Sequence, residues 1–131
     1  MSEHQNCIFC GDPSMVIEND LAFAHFDSYP VNPGHCLIIP RRHVAEYFEA
    51  TTEEKAAIWA LVDEMKIILD KKYKPDGYNV GVNVGKAAGQ SVHHVHIHMI
   101  PRYKGDMEDP RGGVRGVIPH KQKYLRKEHE S

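Results

Sequence analysis

Apolar and polar positions alternate along several short stretches of the chain and recur at helical spacing along one long stretch. Met15–Ile17 and Leu21–Phe26 read as two short strands, and Glu18-Asn19-Asp20 between them carries the turn chemistry of a hairpin. Two prolines and a glycine make Asp27–Gly34 a loop, after which His35–Ile39 reads as a strand closed by Pro40. Thr51-Thr52-Glu53-Glu54 has the form of a capping box, with Glu54 three residues after Thr51. Behind it Ile58, Leu61, Val62, Met65, Ile68, Leu69 and Tyr73 recur on one face. This predicts a helix of about six turns that stops at Pro75-Asp76-Gly77. Tyr78–Val84 alternates again, with Val80, Val82 and Val84 on one face and Asn79, Gly81 and Asn83 on the other. Gly85–Gly89 is a loop of small residues. Gln90–Ile100 then reads as a strand that Pro101 ends, and the tail from Tyr103 onward reads as loop.

That last strand holds the most informative residues. Residues two apart on a strand point the same way, so His94, His96 and His98 line one face and Val95, Ile97 and Met99 the other. The apolar face suits packing against the long helix. Imidazoles so spaced stand roughly 6.6 Å apart along the strand. A core accepts such a polar row only with partners. His93 points off this face.

Composition narrows the picture further. A chain of 131 residues suits a single domain that folds without disulfide staples. The formal net charge of -2 excludes a chain-wide basic field for nucleic acid. From Pro101 onward, however, eight basic residues face five acidic ones, so the tail is either a local anion-attracting segment or a solvated surface. Met1–Asn6 has no apolar core of a signal peptide, and the longest apolar run, Ala56–Val62, is too short to span a bilayer. Three cysteines, Cys7, Cys10 and Cys36, fit a reducing cytoplasm, and Cys7-x-x-Cys10 reads as half a metal site rather than a disulfide.

With His94-Val95-His96-Ile97-His98-Met99-Ile100, the chain resembles the histidine triad (HIT) superfamily, whose pattern alternates three histidines with apolar residues. Gly89-Gln90-Ser91-Val92 resembles the stretch before the triad in the histidine triad nucleotide-binding proteins. Asp27 and Pro33-Gly34-His35-Cys36-Leu37-Ile38-Ile39-Pro40 match their first strand of the sheet. Pro30–His35 also resembles the fragile histidine triad proteins. The resemblance runs in order from about residue 7 to 103. It implies an α+β HIT-like fold, an antiparallel sheet of about five strands with one long helix and a short helix packed on it. The whole chain, 1–131, would be one domain with a C-terminal extension at 104–131. The resemblance also implies a cytoplasmic homodimer with an adenosine nucleotide as substrate and neither nucleic acid nor membrane as partner.

The resemblance further implies a nucleotidyl hydrolase or transferase. His96 would attack the α-phosphorus of an AMP-containing substrate and form a covalent nucleotidyl-imidazole intermediate. Neutral imidazole is a competent nucleophile near pH 7, since its ordinary pKa is about 6.5. Candidate substrates are adenosine phosphoramidates and dinucleoside polyphosphates such as diadenosine tetraphosphate. His98, Ser91 and backbone N–H groups around Gly89, Gln90 and Ser91 would hold the phosphate, with Ser91 also placed to protonate the leaving group. Asp27 matches a ribose-binding position, although an Asx turn before Pro30 explains an aspartate there as well. Asn83 matches a nucleotide-contacting position. His35 matches a family histidine next to the active site and would orient His96 or satisfy a buried backbone carbonyl. Phe9, with His25-Phe26 nearby, falls where the family wraps adenine.

A structural zinc is implied by the same resemblance, with Cys7, Cys10, His43 and His94 as its four ligands, and no organic cofactor. Four protein ligands leave no open position for an activated water. A branch of the superfamily that cleaves diadenosine tetraphosphate with phosphate carries glutamine at the third triad position. His98 stands here instead, which favours hydrolysis. Arg111 and Arg115 in the extension would either reach distal phosphates or lie solvated. Two other readings stay open at this point, a noncatalytic nucleotide-binding or regulatory module and a metallohydrolase using the histidine row as ligands.

Overall fold

The computed structural model describes residues 15–124. Five strands form one antiparallel sheet: β1 (Ile17–Glu18), β2 (Ala22–Phe26), β3 (Cys36–Pro40), β4 (Gly77–Val82) and β5 (Ile97–Arg102), in the order β1-β2-β3-β5-β4. One long helix, α1 (Thr52–Tyr73), crosses one face. Short helical pieces elsewhere in the described residues are 3-10 turns, at Tyr47–Glu49, Lys86–Ala88, Gly113–Val117 and Pro119–Lys121. No helix of the described residues is long and apolar enough to cross a membrane.

Local chemistry sets these elements. At the β1–β2 turn, Asn19 Oδ1 accepts from the N–H groups of Leu21 and Ala22. Its Nδ2 donates to the Ala57 carbonyl and so ties the hairpin to the helix. The capping box is formed: Thr51 Oγ1 accepts from the Glu54 N–H at 3.0 Å, and Glu54 Oε1 accepts from the Thr51 N–H at 2.8 Å. Glu54 is also buried against Arg42, which pairs with both carboxylate oxygens. Lys74 ends the helix in the left-handed region at φ 50°.

Ile58, Leu61, Met65 and Leu69 are the buried stripe of the helix. They pack on Ala22 and Ala24 of β2, Cys36 and Ile38 of β3, and Ile97 and Met99 of β5. Small side chains on β2 let the helix approach closely. With the helix covering this face, the other face of the sheet is left to Phe23, Leu37 and Ile39 at one end and to polar groups at the other.

Four expected boundaries shift. The strand expected over Gln90–Ile100 begins only at Ile97, because the segment before it spends its hydrogen bonds on side chains and a loop. The Gln90 amide bonds Gly85, Ala45 and Val92, the Val95 N–H donates to Val44, and His94 Nε2 donates to the Pro40 carbonyl. Pro101 does not end β5, which runs to Arg102. Pairing with β3 stops at Met99, so on that side the proline's missing N–H faces no strand, and its carbonyl accepts from Asn32 Nδ2 instead. Likewise Pro40 is the last residue of β3, not its stop, and Val84 lies beyond the end of β4.

Candidate active site

The register across the open face builds the site. His25 pairs with Leu37, Leu37 with His98, and His98 with Gly81. One step along, Asp27 N–H bonds the His35 carbonyl and Ile100 pairs with Asn79. Strand alternation therefore puts Asp27, His25, His35, His98, Asn79 and Gly81 on the face that the helix leaves open. His96, two residues before His98, joins them, with the two rings 5.0 Å apart. Gly34, at φ +89°, delivers the chain into this face. A Cβ there would lie 3.0 Å from the Tyr73 ring.

Hydrogen-bond partners assign the tautomers. A carbonyl only accepts, so His96 Nδ1, 2.9 Å from the His94 carbonyl, carries the proton. Its Nε2 then holds a lone pair. A backbone N–H only donates, so the Val31 N–H, 3.0 Å from His35 Nδ1, makes that nitrogen an acceptor. In neutral His35 the proton is then on Nε2, which lies 3.0 Å from His98 Nδ1. His98 Nδ1 accepts, so His98 Nε2 is the N–H donor. Val31, His35 and His98 form a relay that ends in a donor beside the lone pair of His96.

All three rings are held neutral. Burial lowers the His96 pKa below its ordinary value, against the His94 hydrogen bond and the charge of Asp27. His98 drops to about 4, through burial first and then its neighbours His96 and His35. Burial also lowers His35, partly offset by Asp27. The Asp27 carboxylate forms the expected Asx turn and faces His35. Its Oδ1 accepts from the Tyr29 N–H in an Asx turn, and its Oδ2 stands 3.5 Å from His35 Nε2.

Asp27, His35 and His98 offer ligand atoms within 4.8 Å of one another, a spacing a metal ion would accept. Proton placement argues against one. Metal on His35 Nε2 would move the ring proton to Nδ1, where the Val31 N–H already points.

The other predicted residues divide by role. Gly85–Gly89 forms a loop beside the row, and a Cβ built on Gly89 would lie 4.0 Å from Asn83 Nδ2. Ser91 is exposed at its end. Gln90 braces that loop: Oε1 accepts from Gly85 and Nε2 donates to two carbonyls, while its own N–H bonds the Gly85 carbonyl. The Gly89 N–H likewise bonds the Lys86 carbonyl. His94 leaves the histidine row. It is fully buried, with its ring 5.0 Å from that of His43 and its Nε2–H on the Pro40 carbonyl, which makes Nδ1 the unprotonated nitrogen. His25 lies on the site face, stacked on Phe23, whereas Phe26 turns toward Tyr73 on the helix side. Phe9, Cys7 and Cys10 lie outside the described residues. Sequence reasoning missed the Val31 N–H, which is a backbone group and carries no side-chain signal.

The HIT domain family matches residues 11–105. The chain belongs to the histidine triad family. Among relatives of this histidine triad protein, an uncharacterized 16.1 kDa HIT-like protein of Mycoplasma pneumoniae is 40% identical over 107 residues, 77% of this chain and 74% of the relative. A bis(5'-adenosyl)-triphosphatase of Dictyostelium discoideum is 39% identical over 69% of this chain and 60% of the relative. An AP-4-A phosphorylase of Mycobacterium tuberculosis is 37% identical over 70% of this chain, which spans 48% of that relative. A HIT family protein of Bacillus anthracis superposes with TM-score 0.72 at 36% identity, covering 77% of this chain and 76% of that one. A Zn-bound histidine triad family protein of Mycobacterium smegmatis does so with TM-score 0.73 at 29% identity, covering 81% of each.

Proposed function

We propose that this histidine triad protein cleaves the α-phosphate linkage of AMP-containing substrates, adenosine phosphoramidates or dinucleoside polyphosphates, in two displacements at His96. The observation that carries the reading is the His96 Nδ1–H bond to the His94 carbonyl, which aims an unprotonated Nε2 into the open face beside the His98 donor. Nε2 attacks the α-phosphorus, the bond to the leaving nitrogen or oxygen breaks, and the leaving atom departs with its electron pair. Ser91 passes it a proton and regains one from the water that attacks next. That water breaks the phosphorus–nitrogen bond, releases AMP and restores neutral His96. His98 Nε2–H stabilises charge on the phosphoryl oxygen, with the Ser91 N–H and Asn83 alongside, since the Gly89 and Gln90 N–H groups are bonded within the loop. Asp27 accepts from the ribose hydroxyls. Both functionally named relatives act on adenosine nucleotides by name, and His98 at the third triad position supports water over phosphate as acceptor.

We also propose a structural zinc on His43, His94, Cys7 and Cys10. The paired rings fit it: His94 presents Nδ1 while its Nε2–H is held by a carbonyl, the usual support of a ligating imidazole. Such a site supplies no reacting group; it pins the bend that precedes His96.

The test is AMP release from both substrate classes in wild type and His96→Ala, with AMP binding measured alongside. Loss of release with binding retained supports the nucleophile. Equal release in both proteins rules it out, and binding without release in the wild type leaves a nucleotide-binding module.

A further inference from the structure

The loop that carries Val31 has little packing of its own. Tyr29 is 88% exposed and Val31 69%, so side-chain burial does not hold the Val31 N–H in place. Hydrogen bonds do. The Val31 N–H donates to His35 Nδ1 at 3.0 Å, and the His35 N–H returns to the Asn32 carbonyl at 3.1 Å. Asn32, the next residue, is gripped from outside the loop. Its Nδ2 donates to the Pro101 carbonyl at 3.1 Å and to Asp106 Oδ2 at 2.7 Å. One residue further on, Tyr103 Oη donates to the Pro33 carbonyl at 2.7 Å.

These contacts come from the turn that follows β5. Gly105, at φ +85°, lets the chain reverse, and the Asp106 N–H donates to the Tyr103 carbonyl at 3.0 Å. The reversal lays the Asp106 carboxylate on the fork of Arg102, with Nε on Oδ2 and Nη2 on Oδ1, both at 2.8 Å. The Tyr103 N–H adds a bond to Oδ2 at 2.9 Å. Hydrogen bonds from Arg102 first, then from Tyr103 and Asn32, hold the Asp106 carboxyl well below the usual carboxylate range, so it stays an acceptor. Arg102 is itself anchored on β4, where its Nη1 donates to Asn79 Oδ1 at 2.6 Å. The pair that Arg111 makes with Asp109 at 2.9 Å stays within the C-terminal segment; the Arg102–Asp106 pair reaches the loop of the site.

We propose that Asn32 is a positioning residue for the histidine relay, clasped by the Arg102–Asp106 turn so that the Val31 N–H stays on His35 Nδ1 and fixes His35 and His98 as their Nε2–H tautomers. Its consequence for catalysis rests on the hydrolase reading above; its consequence for the tautomers does not. Once the Val31 N–H swings away, His35 Nδ1 is able to take the ring proton. His35 Nε2 then accepts from His98 Nδ1–H across the same 3.0 Å contact, and the relay runs backwards. His98 would then turn a lone pair, not a donor, toward the phosphoryl oxygen.

The test reads the ring-nitrogen 15N spectra of the histidines at neutral pH, together with kcat and KM for adenosine phosphoramidate. The proteins are wild type, Asn32→Ala, Asp106→Ala and Asn32→Asp, which keeps the shape of the side chain but sets a carboxylate against that of Asp106. Lys66→Ala, which opens an exposed pair on α1, is the control for a lost surface contact. Wild type and Lys66→Ala should show His35 and His98 protonated at Nε2 alone. The three clasp variants should show both tautomers, with kcat lower by about tenfold and KM little changed. Because Asn32 acts through His35, adding Asn32→Ala to His35→Ala should lower kcat no further. Wild-type tautomers retained in the folded clasp variants overturn the proposal, as does a full additional loss in the double variant, which a merely structural role would give. If the wild type releases no AMP, the hydrolase reading falls and the ring-nitrogen spectra alone decide the clasp.

Discussion

At the residue scale, the site is a problem of proton placement. His96 is useful only while Nε2 carries no proton, and burial holds the ring neutral below its ordinary pKa. Activity should therefore persist below pH 6.5, with the acid limb of kcat/KM falling only as His96 protonates in its lowered range. A limb centred at or above 6.5 in a pH profile would contradict this. In the proposed reaction His35 acts through His98, 3.0 Å away, as a positioning residue. His35→Ala frees the His98 tautomer, so kcat should fall by about 10–100-fold with KM little changed. A purely structural role would instead move both constants or the melting temperature.

At the element scale, the helix and the five strands were legible, β5 only in part, because burial repeats with their geometry. The stripe Ile58, Leu61, Met65, Leu69 and the alternation of Val80 and Val82 against Asn79 and Gly81 each reflect one covered face. Alternation misled over Gln90–His96, where a side-chain amide and an imidazole replace the ladder and turn His94 toward His43. Periodicity reports burial and cannot report a brace of that kind. The C-terminal 3-10 turns were illegible for a related reason: Arg115 and Gln122 hold them through contacts with no sequence period. The helix end offers a direct check. Lys74 is exposed and sits at φ 50°, so Lys74→Gly should add about 1 kcal/mol of stability in urea unfolding. A loss of stability would mean that the cap geometry is not as described.

At the scale of the whole molecule, stability and the proposed catalysis share the same imidazoles. His35, His96 and His98 have folded pKa values below their unfolded value, so the unfolded chain binds more protons once pH drops below about 6.5. Stability should be full above that pH and decline as pH falls from 6.5 through the folded value of His98, about 4. Thermal unfolding across this range checks the sign; a protein that gains stability on acidification contradicts it. The proposed zinc belongs to the same scale, since it would join the loop of His43 to the segment before His96. His43→Ala should lose the metal in elemental analysis and melt at a lower temperature, and full zinc retention would remove His43 from the ligand set.

The central claim is a covalent nucleotidyl bond to His96, and intact-protein mass spectrometry after rapid acid-free quenching tests it most directly. Wild-type protein mixed with an adenosine phosphoramidate should show a species heavier by one adenylyl group, mapped to His96 by peptide analysis and missing from His96→Ala. An adduct that survives in His96→Ala, or steady AMP release with no adduct at any time of quenching, would contradict it.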